Sequence, residues 1–183
     1  CKRLLISRFG VRIPAGSPPR PLRLRLKRAI AAGEGGRGAM PGEARLEERA
    51  VITRGIRVLC SEAEEVVETW TAEQARQHMD DDDVVLVDIR DVRELQRDGV
   101  IPGAVHAPRG MLEFWVDPES PYARDVFQSG KRFVFFCAGG LRSALAARAV
   151  QEMGLAPVCH MAGGFAAWKK NEFPIEAKEE KKK

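Results

Sequence analysis

One stretch constrains this chain more than any other: residues 133–143, F-V-F-F-C-A-G-G-L-R-S. Residues 133–136 are an apolar run with the aromatic and β-branched content of a fully buried strand. The run stops at Cys137. Gly139 and Gly140 follow, then Arg142 and Ser143, and then the alanine-rich residues 144–153, strong helix formers. The order is strand, cysteine, tight glycine loop, helix start.

A thiol is a nucleophile only as its thiolate, which helix N-termini and nearby cations favour. Successive backbone N–H groups in a glycine-permitted turn converge into an anion-binding nest. A Cys137 thiolate at the loop entrance would sit over that nest, with Arg142 as a fixed positive charge. The same cradle would hold a persulfide anion or an oxyanion leaving group. The plain alternative makes Cys137 a small hydrophobe that ends a buried strand. It accounts for the cysteine, but not for the glycines, the Arg-Ser pair and the helix start behind it.

Spacing narrows the chemistry. Ala138, Gly139, Gly140 and Leu141 separate Cys137 from Arg142. Protein tyrosine phosphatases and related arsenate reductases carry a longer segment there. The shorter loop encloses a smaller pocket, suited to one sulfur atom rather than a tetrahedral phosphate.

The flanking sequence reads as alternating short strands and helices. Residues 84–87 form a second continuous apolar run, the pattern of a parallel strand buried on both faces. Asp88 and Arg90 stand at its C-terminal end, where ligands bind in open α/β sheets. They are rim residues of the site or, more simply, an ion pair that fixes the loop. Ser61 is suited to cap a helix beginning at Glu62, a start at Glu43 being equally open, and residues 66–70 suit an edge strand. Thr71 with Gln74 makes a capping box for a helix over residues 72–79. Further helices are expected over 91–96, 111–116, 122–128 and 165–170, with short strands at 105–107 and 158–160. In residues 144–153, Leu145, Ala149 and Met153 share one face, and Gly154 ends the helix as its C′ residue. The pattern predicts an α/β domain with a mainly parallel central sheet flanked by helices, the active-site loop lying between a central strand and a helix.

These motifs together resemble the single-domain rhodaneses, sulfurtransferases that carry sulfur as a cysteine persulfide. The resemblance rests on the Cys137 loop, on V-V-L-V-D-I-R (residues 84–90), on Glu94 and the G-V-I-P-G-A of residues 99–104, on V-H-A-P-R-G (residues 105–110), and on Gly163, Gly164, Trp168 and Pro174 near the end. It covers residues 66–176. Ala138 stands where many members have Arg, Val100 replaces a frequent His, and Glu172 stands where Gly often precedes the final Pro. What the resemblance implies is sulfur transfer from a donor such as thiosulfate to cyanide or a thiol through a persulfide on Cys137. Ala138, Gly139, Gly140, Leu141, Arg142 and Ser143 would form the binding loop. Arg142 would hold the anionic donor, Ser143 would cap the following helix and donate to the sulfur, and Arg109 would join Asp88 and Arg90 at the rim. His106 is read as structural. The partners expected are a small sulfur donor, a thiol or cyanide acceptor and a protein sulfur acceptor, with no metal and no cofactor. A cysteine-dependent phosphatase or arsenate reductase, and a persulfide carrier docking to a sulfur-pathway partner, are the alternatives.

Composition fits this reading. Apolar content of 44% and charged content of 31% are ordinary for a globular protein, and no run is long enough for a transmembrane helix. Cys1, Cys60, Cys137 and Cys159 show neither metal-type spacing nor a dense disulfide framework, which favours a reducing, cytoplasmic setting. The net charge of +4 hides an asymmetry: residues 1–40 hold ten Lys or Arg and one acid, the remainder 20 basic and 25 acidic residues. The enzyme-like part therefore offers no electrostatic case for nucleic-acid binding. The organisation expected is a basic, disordered arm (1–39), a helical lead-in (40–65), the rhodanese-like domain (66–176) and a charged tail (177–183). The arm reads foremost as a non-native or upstream translated stretch. A transit peptide and a basic arm for an acidic surface stay open.

Overall fold

The computed structural model describes residues 52–178. Five strands, β1 (Glu68–Trp70), β2 (Val84–Asp88), β3 (Val105–His106), β4 (Arg132–Phe136) and β5 (Val158–Met161), lie in the order β1-β5-β4-β2-β3. Every pairing is parallel. The helices are α1 (Ile56–Val66), α2 (Ala72–His78), α3 (Val92–Asp98), α4 (Leu112–Val116), α5 (Leu141–Glu152) and α6 (Gly164–Lys170), with 3-10 turns at Arg109–Met111 and Asp125–Gln128. No described helix is long and apolar enough to cross a membrane. The expectations for the arm 1–39, for a helix start at Glu43 and for residues 179–183 fall outside the described residues.

Alternation along the strands sorts their side chains into two cores. Val87, Phe133 and Phe135 face one way, against Leu112 and Val116 of α4 and Ala146, Ala147 and Val150 of α5. Leu86, Val134 and Phe136 face the other, against Ala72 and Ala75 of α2 and Phe165 and Trp168 of α6. The sheet is thus covered on both faces, as its continuous apolar runs require.

Local sequence is overruled in two places. The helix expected after Ser61 starts at Ile56 instead and runs through Val66, which leaves only Glu68–Trp70 as the edge strand. Burying Cys60 and Ala63 on that helix outweighs the capping preference of a serine. In α5 the buried residues are Ser143, Ala144, Ala146, Ala147 and Val150 rather than the Leu145, Ala149 and Met153 face, and Met153 is exposed. Small side chains let this helix lie close on the sheet, and the larger ones sit at its margin.

The helix ends behave more locally. The Thr71–Gln74 capping box forms at α2, and a second one, Asp91–Glu94, forms at α3. Gly154, at φ +100, closes α5: its N–H donates to Gln151 O, and Leu155 N–H donates to Val150 O, the paired bonds of a Schellman motif. The end of α6 repeats the device with Glu172 at φ +54. Glu172 N–H donates to Lys169 O and Phe173 N–H to Trp168 O, while the Phe173 ring packs edge-on against Trp168 at 5.1 Å. The turn that a glycine would favour is therefore made by a glutamate in the left-handed region.

Strand order places the site. The chain leaves β2 for β3 at one edge and leaves β4 for β5 on the other side. The C-terminal ends of the neighbours β2 and β4 form a topological switch point, the place where open α/β sheets hold ligands. Register sets Asp88 beside Phe136, so Cys137 emerges at that point.

Candidate active site

Cys137 follows directly on β4 and is 1% exposed, while Gly139 and Leu141 of the loop after it are exposed. Gly140, at φ +98, precedes the first turn of α5. Its N–H donates to Cys137 Sγ at 3.2 Å. The N-cap of α5 is a glycine, and among the described residues no side chain caps the helix, so the N–H groups of its first turn lack the N-cap side-chain acceptor that helix starts usually recruit.

A second glycine pair builds the floor of the loop. Phe165 N–H donates to Cys137 O at 2.7 Å and Ala166 N–H to Ala138 O at 2.9 Å, which ties the start of α6 to the cysteine backbone. Gly164, at φ +54, permits that approach: a Cβ there would lie 2.2 Å from Cys137 O. In the sequence Gly163 and Gly164 stand out only as part of the closing pattern before Trp168 and Pro174. The signal for their role was two glycines opening a helix, a residue poor in helix propensity where a cap would be expected.

Arg142 is committed to a partner. Its Nη1 donates to Glu94 Oε2 at 2.8 Å and its Nη2 to Glu94 Oε1 at 2.7 Å. Glu94 Oε2 also accepts from Asp91 N–H at 3.1 Å, in the capping box of α3. The Arg142 hydrogen bonds, foremost, hold the Glu94 carboxyl down at about 2. In return they push the Arg142 guanidinium above its ordinary range, with Cys137 adding to the same effect. Sequence gave no sign of this pairing, because α3 and α5 meet only in the fold.

Ser143 departs from its expected role. The helix begins at Leu141, so Ser143 falls inside its first turn, fully buried, and its hydroxyl donates to Gly140 O at 2.8 Å. It caps no N–H group, and its proton is directed at a carbonyl rather than at the sulfur.

Asp88 and Arg90 are 2% and 1% exposed. Arg90 Nε donates to both Asp88 oxygens at 3.0 Å, and Nη2 donates to Asp88 Oδ2 at 2.7 Å and to Gly99 O at 2.9 Å. The guanidinium carbon lies 3.8 Å from the centre of the Phe165 ring. This pair is a buried brace linking the end of β2 to α6 and to the end of α3. His106 Nε2 meets Arg90 O at 2.9 Å, a bond to backbone within the same brace. Arg109 pairs with Glu113 one turn on, and among the described residues no hydrogen bond joins it to the cysteine loop. Nor do the described residues include a cluster of His, Cys, Asp or Glu that could hold a metal ion.

Residues 71–171 match the rhodanese-like domain, more than half of the chain. The chain belongs to the rhodanese-like family. It is 33% identical over 113 residues to a thiosulfate sulfurtransferase of Glaesserella parasuis, covering 62% of this chain and 96% of that protein. It is 29% identical over 102 residues to thiosulfate sulfurtransferase/rhodanese-like domain-containing protein 3 of Mus musculus, covering 53% of this chain and spanning only 65% of the mouse protein. Among solved structures, a Rhodopseudomonas palustris protein described as of unknown function and a possible tyrosine phosphatase shares 55% identity at a TM-score of 0.68, covering 70% of this chain and 98% of its own. The parallel five-stranded sheet of this rhodanese-like chain carries its cysteine at the central switch point.

Proposed function

We propose that this rhodanese-like chain is a sulfurtransferase that works by double displacement on Cys137. The observation that carries the reading is the Gly140 N–H directed at Cys137 Sγ, at 3.2 Å, ahead of a helix whose N-cap is a glycine without a capping side chain. Donors so arranged stabilise negative charge on sulfur. The Cys137 thiolate attacks the outer sulfur of thiosulfate; the S–S bond of the donor breaks, and sulfite leaves with the electron pair. The persulfide anion left on Cys137 lies among the loop amides. A thiol or cyanide then takes the outer sulfur and returns the thiolate. Splitting one transfer into two steps is the gain of covalent catalysis.

The test is intact-protein mass spectrometry after incubation with thiosulfate, on the wild type and on Cys137→Ser. The expected result is a gain of about 32 Da, reversed by cyanide or dithiothreitol and absent from the variant, as a reactive thiolate requires. Absence of that gain with thiosulfate and with organic persulfides would overturn the reading.

A phosphatase is the second reading, favoured by the description of the Rhodopseudomonas palustris relative at 55% identity. Against it stand the short segment between Cys137 and Arg142 and the occupation of Arg142 by Glu94. Release of phosphate from an aryl phosphate, abolished in Cys137→Ser, would establish it.

A further inference from the structure

The three arginines of the candidate site share a property that none shows in sequence: each is matched to a carboxylate. Arg90 pairs with Asp88, Arg109 with Glu113, and Arg142 with Glu94. The residue after the nucleophile is Ala138, which adds no charge. Among the described residues Arg142, in the first turn of α5 and close enough to Cys137 to feel its sulfur, is the cation best placed to meet an anionic donor, and Glu94 engages both of its terminal nitrogens. Glu94 itself is not a passive counter-ion drawn in by the arginine. It sits at the third position of α3, where the capping box fixes it through Asp91 N–H, and its side chain is 19% exposed. The helix therefore delivers the carboxylate to the cysteine loop.

Building on the sulfurtransferase reading, we propose that Glu94 sets the charge preference of the site, neutralising Arg142 and disfavouring dianionic sulfur donors relative to donors of lower charge. A dianion must either displace Glu94 from Arg142 or bind beside a carboxylate that repels it. A monoanion of the same shape meets about half that repulsion. Glu94 acts through Arg142 and on the field at the donor, so it is a specificity-determining residue rather than one that touches the reacting sulfur.

The test uses two donors matched in size. Thiosulfate carries two negative charges. Methanethiosulfonate replaces one charged oxygen by a methyl group and carries a single charge. Both undergo the same step: the Cys137 thiolate bonds to the terminal sulfur, the donor's S–S bond breaks, and sulfite or methanesulfinate leaves with the electron pair. Charge is conserved in each case, and the persulfide anion is the common product.

The variant is Glu94→Gln. Glutamine preserves a capping box, as the Thr71–Gln74 box of α2 in this same chain demonstrates, so the substitution removes the charge and keeps the helix start. The readout is the ratio of kcat/KM for thiosulfate to that for methanethiosulfonate, measured with a common thiol acceptor. The expected result is a rise in that ratio of about tenfold in Glu94→Gln at low salt, shrinking as ionic strength rises. A ratio within about twofold of the wild type, or a rise that salt leaves untouched, would overturn the assignment.

A second measurement needs no variant. In the wild type, sulfate is expected to compete with the donor no better than methanesulfonate does. Sulfate binding about tenfold more tightly would overturn the proposal, because a free arginine rewards the second charge. The two readings fail separately. If neither donor loads Cys137 in the wild type, the sulfurtransferase reading falls and takes this one with it. If both load and the ratio stays fixed, only the role of Glu94 falls.

Discussion

Replacing Gly164 by alanine puts one carbon atom between two parts of the site. A Cβ at this position would stand 2.2 Å from Cys137 O and 3.0 Å from the carbonyl carbon of Ala138. Ordinary contact begins near 3.4 Å, so the start of α6 must withdraw from the loop by about 1 Å. The bonds from Phe165 N–H to Cys137 O and from Ala166 N–H to Ala138 O, now 2.7 and 2.9 Å, would break or stretch. Each is worth about 1 kcal/mol net, more where the buried groups find no other partner. Holding a non-glycine residue at φ +54 costs about 1 kcal/mol more, and the reduced freedom of the unfolded chain returns about 0.5 kcal/mol. The expected loss is about 3 kcal/mol. Gly139→Ala serves as the control, since nothing lies within 4 Å of a Cβ there and its φ is not positive; its stability is expected to stay within about 0.5 kcal/mol of the wild type. Urea unfolding of both variants, compared at equal m-values, measures the difference. Under the sulfur transfer proposed above, Gly164→Ala should also load Cys137 more slowly, because the carbonyls that α6 holds belong to Cys137 and Ala138. A Gly164→Ala midpoint corresponding to a loss below about 1 kcal/mol would refute the reasoning.

Three more outcomes follow from the same geometry. Burial pushes the Cys159 thiol up to about 12 and raises that of Cys60 as well, whereas Cys137 Sγ accepts the Gly140 N–H beside the exposed Gly139 and Leu141; iodoacetamide at pH 8 should modify Cys137 before either, as peptide mass spectrometry after brief exposure would report. Glu94 titrates at about 2 in the folded chain against its ordinary 4.5. A depressed carboxyl stabilises above the higher value and loses that contribution as pH falls through the lower one; because the pair is partly exposed, the wild type should lose about 1 kcal/mol relative to Glu94→Gln between pH 4.5 and 2 in urea titrations. Glu172→Gly should raise stability by about 0.5–1 kcal/mol, since Glu172 holds φ +54 at the left-handed position of the α6 Schellman motif; a loss of stability in urea unfolding would show that the glutamate side chain contributes more than its backbone costs.

Much of this molecule was already present in the order of its residues. The apolar runs at residues 84–87 and 133–136 determined two strands buried on both faces, because four consecutive apolar side chains point alternately to opposite sides of a sheet and both sides must then be covered. The position of Cys137 at the end of one run, and the glycines after it, placed a nucleophile candidate in a strand-to-helix loop. Gly154 marked the end of α5, and Thr71 with Gln74 marked the start of α2, since capping and left-handed turns depend on a few adjacent residues.

Tertiary structure decided the rest, and the cases share a cause. The start of α1, the buried face of α5 and the fate of Ser143 depend on which surface lies opposite, and that surface comes from elsewhere in the chain. The Arg142–Glu94 pair joins residues 48 positions apart. Local composition gave Arg142 a positive charge, but not a partner to cancel it. Likewise, the contact between Gly164 and the Cys137 carbonyl exists only because β4 and the start of α6 meet at the centre of the sheet. Charge balance and close approach are properties of a distance in space; along the chain only the residue types capable of them are written, and folding selects which of those residues meet.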